Sequence, residues 1–325
     1  MTLEETRAVL TVALLAAFSD GLKDDREREA VKRVADALGP DAGFDLPGLY
    51  RDVLLAKPDL AKVAAELRSP ESRQLAYEMA VGVCDADGAQ GPAEKTFLAK
   101  LAEALALPAA AASATSARAD EVAEAAFAPT EAPAAPAASA SAPVPGTIMG
   151  KANISDAEMD KVILNASITN AALELLPESL ASMAIIPLQM RLVYRIGKAH
   201  GYEMDRTHAK DFIATLGVGL TGQYLEQFGR KLLGGLLGGL GGGIGRGVGR
   251  QAASSGLTFA TTYALGRVAQ RYYAAGRTID TATLKQTFAS LLDEARGLAP
   301  RYREQIEQKA GTIDVRNLAS LVRQA

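Results

Sequence analysis

The sequence predicts an all-α protein, and three observations carry that expectation. Of its 325 residues, 48 % are hydrophobic but only 5 % aromatic, with no Trp, so Ala and Leu supply the apolar surface. That balance favours helices over strands. Helix start and stop signals recur along the chain, and no segment shows the apolar–polar alternation of a half-buried strand. Thr2 and Glu5 form a candidate capping box for a helix reaching about Ser19, with apolar positions at Val9, Leu10, Ala13, Leu14 and Ala17. Gly21 ends it, and a second helix is expected from about Asp25 to Leu38. The stretch from Gly39-Pro40 to Pro47-Gly48 reads as a break. Short helices follow around Leu49 and Leu60. Ser69-Pro70-Glu71 opens one that ends at Cys84, and Pro92 sits just inside the next.

Residues 108–148 are rich in Ala, Pro and Ser and read as a flexible linker, with a brief helix around Ala119 to Phe127. A second helical domain is expected over 149–325. Ser155 and Glu158 cap its first helix, which reaches Leu175. Helices over Ser179–Ala199 and Arg206–Phe228 follow, the first ended by Gly201 and the second capped by Asp205. A Gly-rich stretch, Leu233 to Gly249, precedes a helix over Ser255–Tyr273. Two more are expected, one from Asp280 to near Leu298 and one from Asp314.

Charge divides the chain. Up to Leu107 there are 13 basic and 19 acidic residues, and from Met149 onward 21 basic and 15 acidic. An acidic head and a basic tail imply different partners. A single cysteine, Cys84, excludes an intrachain disulfide and a thiolate cluster. The acidic N-terminus lacks the start of a signal peptide, so a cytoplasmic protein is expected, peripheral at the inner membrane if the basic half docks there.

The chemistry-bearing motif is duplicated. Asp20-Gly21, five residues and Glu27 recur 67 positions later as Asp87-Gly88, five residues and Glu94. Val31, Val34 and Leu38 follow the first Glu at the offsets of Leu98, Leu101 and Leu105 after the second. Asp85, Asp87, Gly88 and Glu94 fall at the third, fifth, sixth and twelfth positions of an EF-hand loop, but Val83 stands first. In the first copy Ala16 and Phe18 occupy the first and third places, which rules out two ordinary calcium loops. A composite centre can draw on Asp20, Asp24 and Glu27 from one copy and Asp85, Asp87 and Glu94 from the other. Such a set suits a divalent metal ion, Ca²⁺ foremost. Each motif alone reads equally as a helix stop followed by an acidic first turn.

The runs Leu14-Leu15-Ala16-Ala17-Phe18-Ser19-Asp20-Gly21 and Cys84-Asp85-Ala86-Asp87-Gly88 resemble the TerB-like domain of tellurite-resistance proteins. The resemblance covers most of residues 3–107. It implies a helical bundle with an internal repeat and an acidic metal-binding centre, acting as a docking or sensing module in a stress response. The implied ligands are Asp20, Glu27, Asp87 and Glu94.

In the Gly-rich stretch, glycines recur every four residues at Gly234, Gly238 and Gly242 and at Gly235, Gly239, Gly243 and Gly247. Such smooth stripes let helices approach closely, in a packed core, a homo-oligomer or a shallow membrane hairpin. Leu232–Gly245 holds 14 uncharged residues, short of the roughly 18–20 that a crossing needs. Neither phosphate-loop motif is present, and few aromatics interleave with the basic residues, so nucleotide and nucleic-acid partners are not expected. Ile186-Pro187-Leu188-Gln189-Met190, His200-Gly201 and Thr262-Tyr263-Ala264-Leu265-Gly266 look like the helical domain of YcjF-like proteins, which accompanies some bacterial GTPases. That implies association with a membrane or with a separate GTPase.

His200 reads as a helix cap and His208 as a solvated helix start, so no nucleophile–base pair is expected. The sequence therefore points to a non-catalytic, metal-binding adaptor or sensor. A soluble regulator of a separate GTPase is the second reading, and a metal-dependent hydrolase the third.

Overall fold

The computed structural model describes residues 1–19, 32, 35–36, 44–86, 90–128, 152–176, 179–217, 220–233 and 244–325. All regular structure among them is helical, which bears out the all-α expectation. Most of the helix expected over 25–38, the glycines from 234 to 243, residues 129–148 of the linker and residues 149–151 lie outside the described residues.

The N-terminal half begins with α1 (Leu3–Ala17), α2 (Leu46–Ala56), α3 (Leu60–Glu66), α4 (Pro70–Cys84) and α5 (Pro92–Ala104). The capping box of α1 is formed. The Glu5 amide donates to Thr2 Oγ1 at 3.1 Å, and the Thr2 amide donates to Glu5 Oε2 at 2.9 Å. The break expected through Gly48 ends earlier, because α2 starts at Leu46 with Pro47 and Gly48 in its first turn. Asp45 caps it by accepting from the Gly48 amide at 2.8 Å. Proline is tolerated there because its missing N–H has no intrahelical partner to lose.

Helix α6 (Ala109–Ala125) occupies much of the segment read as a linker and starts ten residues before the brief helix expected there. Its Ala-rich sequence has high helix propensity. Ala112, Thr115, Ala119 and Val122 are buried, and it packs on α4 and on the C-terminal helix.

The C-terminal half contains α7 (Asp156–Leu175), α8 (Ser179–Met183), α9 (Ile185–Ala199), α10 (Arg206–Thr215), α11 (Leu220–Leu233), α12 (Ile244–Ala274), α13 (Thr281–Leu298), α14 (Arg303–Ala310) and α15 (Leu318–Gln324). The helix expected over Ser179–Ala199 is interrupted at Ala184. Pro187 lies in the first turn of α9 and cannot donate back along a continuous helix. The helix expected over Arg206–Phe228 is also two, with Gly217 at φ +79° after the first. Helix α12 begins eleven residues before the expected Ser255, and α14 was not anticipated.

One hydrophobic cluster runs through both halves. Helices α1 and α4 form the main pair of the first half. Helix α12 packs on α7 and α13 in the second. Helix α11 crosses over and lies on α1 and α4. Where α7, α9 and α12 meet, a Cβ on Gly266 would fall 2.9 Å from Ile163 Cγ2 and 3.1 Å from Leu192 Cδ2, so only hydrogen fits.

Arg191 on α9 is 0 % exposed. Its guanidinium donates to the Ala126 carbonyl at 3.3 Å, to the Ala128 carbonyl, and to the Arg323 carbonyl at 2.9 Å. The far end of α9 accepts from the Asn153 amide, at Ala199 O, at 2.7 Å. Both edges of the undescribed stretch 129–151 are therefore fastened to α9.

Glu5 does more than cap its own helix. Its Oε1 also accepts from the Arg68 amide at 3.3 Å, the Ser69 amide at 3.3 Å and the Ser72 hydroxyl at 3.1 Å, at the start of α4. The Thr2 amide, with those donors, holds the Glu5 carboxyl below the usual carboxylate range against the opposing effect of burial. A carboxylate whose pKa falls on folding stabilises above its unfolded pKa, and the contribution is lost as pH drops through the folded value. Glu5→Ala is expected to lower stability by about 2 kcal/mol at neutral pH. Urea midpoints across the acid range should converge for wild type and variant as Glu5 becomes protonated; a pH-independent gap would exclude the ionised clamp.

For Arg191, replacement by Met leaves three helix-end carbonyls without their donor. Arg191→Met should cost about 3 kcal/mol in urea unfolding. Arg323→Met, which keeps the accepting carbonyl and alters only an exposed side chain, should be near neutral. Equal losses would show that the guanidinium bridge is not what matters.

Candidate functional site

The duplicated acidic motif follows from how its two helices are set side by side. Helix α1 spans Leu3–Ala17 and α4 spans Pro70–Cys84, so both ends correspond at an offset of 67. The Ser72 hydroxyl reaches Glu5 across the same separation of 67. Glu5 thus brings the two N-termini together, and the pair run in one direction with extensive packing between them. Their C-terminal ends, each followed in sequence by an Asp-Gly pair, emerge at the same end of the bundle. Both present the negative end of a helix dipole there.

At these ends the two copies differ. Phe18 is the C-cap of α1, and its ring lies against Tyr50 with centroids 5.8 Å apart. Its counterpart Asp85 is the C-cap of α4, with its amide donating to the Val81 carbonyl at 2.9 Å. Asp85 is 6 % exposed, a carboxylate buried at the negative end of a helix. Glu94 lies in the first turn of α5, where its Oε2 accepts from the Gly91 amide at 2.6 Å. Asp20, Asp24, Glu27 and Asp87 lie outside the described residues. Among the described residues no group of three or more His, Cys, Asp or Glu is placed to hold a metal ion.

A second polar cluster lies in the core of the C-terminal half. Asn170 Nδ2 on α7 and Gln189 Nε2 on α9 both donate to Thr262 Oγ1 on α12, each at 3.1 Å. Gln223 Nε2 on α11 donates to Gln189 Oε1 at 2.9 Å. One turn along α7, Glu174 is 1 % exposed, and its carboxylate accepts from the Ser254 hydroxyl at 2.8 Å and the Thr258 hydroxyl at 3.5 Å. Four helices are thereby joined by one polar seam. Sequence reasoning missed it, although a signal existed. Asn170 and Glu174, Thr258 and Thr262, and Gln223 and Gln227 are polar pairs spaced by four in apolar helices.

The remaining chemically capable groups do not converge. His200 is the buried C-cap of α9, with Nδ1 2.8 Å from the Ile196 carbonyl, in the cap role expected of it. His208 Nδ1 lies 2.8 Å from Asp205 Oδ1 on the surface. Donation from the His208 amide holds Asp205 below the usual carboxylate range. Cys84 is buried in the α4 core face. No nucleophile–base pair is assembled among the described residues.

Residues 2–119 match a family model described as "Protein of unknown function (DUF533)". That is a TerB-like family. The N-terminal resemblance is thus shown at the level of the family, and the match runs on through the first two-thirds of α6. No curated protein and no solved structure matches the chain. Among the described residues no helix is long and apolar enough to cross a membrane.

Proposed function

We propose that the chain is a non-catalytic adaptor whose TerB-like domain binds a divalent cation, Ca²⁺ foremost, at the shared end of α1 and α4. One observation carries this reading. The repeat mates α1 and α4 lie side by side, in register and in the same direction, so the helix ends that precede the two acidic motifs in sequence share one end of the bundle. Asp85 lies at the same end, as the C-cap of α4. The ligands are drawn from Asp20, Asp24, Glu27, Asp85, Asp87 and Glu94. Glu94 also caps α5, so its amide variant separates the two roles: Gln keeps an acceptor for the Gly91 amide and removes the charge.

In this reading the basic C-terminal half is the attachment part. The excess of 21 basic over 15 acidic residues after Met149 supports docking to an anionic surface. Burial of Arg191 and Glu174 withdraws one charge of each sign from the surface and leaves that excess unchanged.

Titration calorimetry of the full chain with Ca²⁺ should give a saturable heat in wild type and a reduced one in Asp20→Ala and Glu94→Gln. Equal heats in all three, or none in wild type, would end the composite-site reading. For attachment, the full chain should co-float with phosphatidylglycerol-containing vesicles and release as salt rises. Absence of binding at low salt would sink the docking reading and leave the cation site standing.

A further inference from the structure

The seam between α7, α9, α11 and α12 has an imbalance of donors and acceptors. The Asn170, Gln189 and Gln223 amide nitrogens and the Ser254 and Thr258 hydroxyls all donate within it. What is left over is oxygen. Asn170 Oδ1, Gln223 Oε1 and Gln227 Oε1 are buried without a hydrogen-bond partner among the described residues. Asn170 is 0 % exposed and Gln227 is 6 % exposed, so bulk water does not serve them. Glu174 adds a carboxylate held by one hydroxyl at 2.8 Å and one at 3.5 Å. A carboxylate can take about four donors, so acceptor capacity remains. No cationic side chain among the described residues pairs with it.

Burying oxygens in this way is costly unless something supplies positive charge or donors. An ordinary apolar core would use Leu or Ala at these positions, as α7 and α12 do at Ala171, Ala172, Leu173, Ala264 and Leu265. The leftover atoms are all hard oxygen donors, the ligand type that hard cations take. Their summed charge is that of a single carboxylate. A monovalent cation balances it, whereas a divalent ion would leave a net buried charge.

We propose that this seam binds a monovalent hard cation, Na⁺, coordinated by Glu174 and by amide oxygens from Asn170, Gln223 and Gln227. The site is separate from the acidic centre at the ends of α1 and α4. It ties α11, which lies on the TerB-like domain, to the C-terminal helices α7, α9 and α12. Ion binding there would stabilise the docking of α11, since a ligand that binds the folded state alone raises its apparent stability.

The test is thermal unfolding of the full chain in chelator-treated buffer, with NaCl compared with choline chloride at equal ionic strength. In wild type, Na⁺ should raise Tm by a few degrees, and the rise should saturate. Glu174→Gln should abolish the difference between the two salts, whatever its own Tm. Gln227→Leu replaces an unpartnered oxygen with apolar volume, so it should fold and yet show a smaller Na⁺-specific rise. Chelation removes divalent ions, so this result is independent of the Ca²⁺ calorimetry. Equal Tm in Na⁺ and choline for wild type would overturn the proposal and identify the seam as a hydrated network. Retention of the full Na⁺ effect in both variants would also overturn it.

Discussion

The clamp made by Glu5 is the constraint on which the functional reading depends. A single carboxylate closes the capping box of α1 and accepts from three donors at the start of α4. Helix N-termini carry unsatisfied N–H groups and partial positive charge, so an anion shared between two of them is favoured by both. Sharing it also sets geometry. Helices of equal length pinned at one end must finish near one another, and the two acidic motifs follow those far ends in sequence. The 67-residue offset of the motif and the 67-residue reach of the Ser72 hydrogen bond are thus one fact seen twice. An antiparallel pairing of α1 and α4 would put the two helix ends that precede the acidic motifs at opposite ends of the pair.

The two charge-opposed halves are built as one packed body at their junction. Helix α11 lies among the C-terminal helices in sequence but packs on α1 and α4, the helices that precede the acidic motifs. At another point α6, which closes the TerB-like match, is held to α9 by Arg191 along with the chain's last helix. A buried guanidinium is expensive to desolvate, and burial indeed presses the Arg191 pKa below the ordinary arginine value. Helix C-terminal carbonyls carry partial negative charge and offset much of that cost. The same residue therefore closes two helix ends with one cation.

Local rules were legible in the sequence, and contacts between distant segments were not. Ser69-Pro70, Ser155 with Glu158, Asp205 and Asp280 each marked a helix start that the structure reproduces, because a cap is settled within four residues. The interruption at Ala184 was missed because the periodicity of the flanking apolar residues continues through it; only Pro187 signalled it. Helix α6 was read mostly as linker because Ala scores as neither core nor surface by composition. Its burial comes from α4 and α15, which are remote in sequence. Arg191 was counted with the basic tail, since nothing local distinguishes a buried arginine from a solvated one. Of the candidate metal ligands, Asp85 lies at a helix C-cap and Glu94 in a helix first turn, where it accepts from the Gly91 amide, as the turn reading of the motif implies.

The polar seam bears on why the C-terminal helices align as they do. Helix α12 is 31 residues long and rich in small residues, and small residues offer neighbouring helices many near-equivalent registers. Apolar packing of Ala and Gly alone discriminates weakly among them. Hydrogen bonds do discriminate, because a slip that put Gly266 in the place of Thr262 would leave Asn170 and Gln189 without their shared acceptor. Gly266 works in the same sense, since its close approach to Ile163 and Leu192 is possible at one register only. Gln189, Thr262 and Gly266 all belong to the short segments that suggested a YcjF-like domain. In the fold they meet at one crossing of α7, α9 and α12. Those segments are therefore best understood as the parts that set a single helix register, with the leftover oxygens of the same crossing available to a cation.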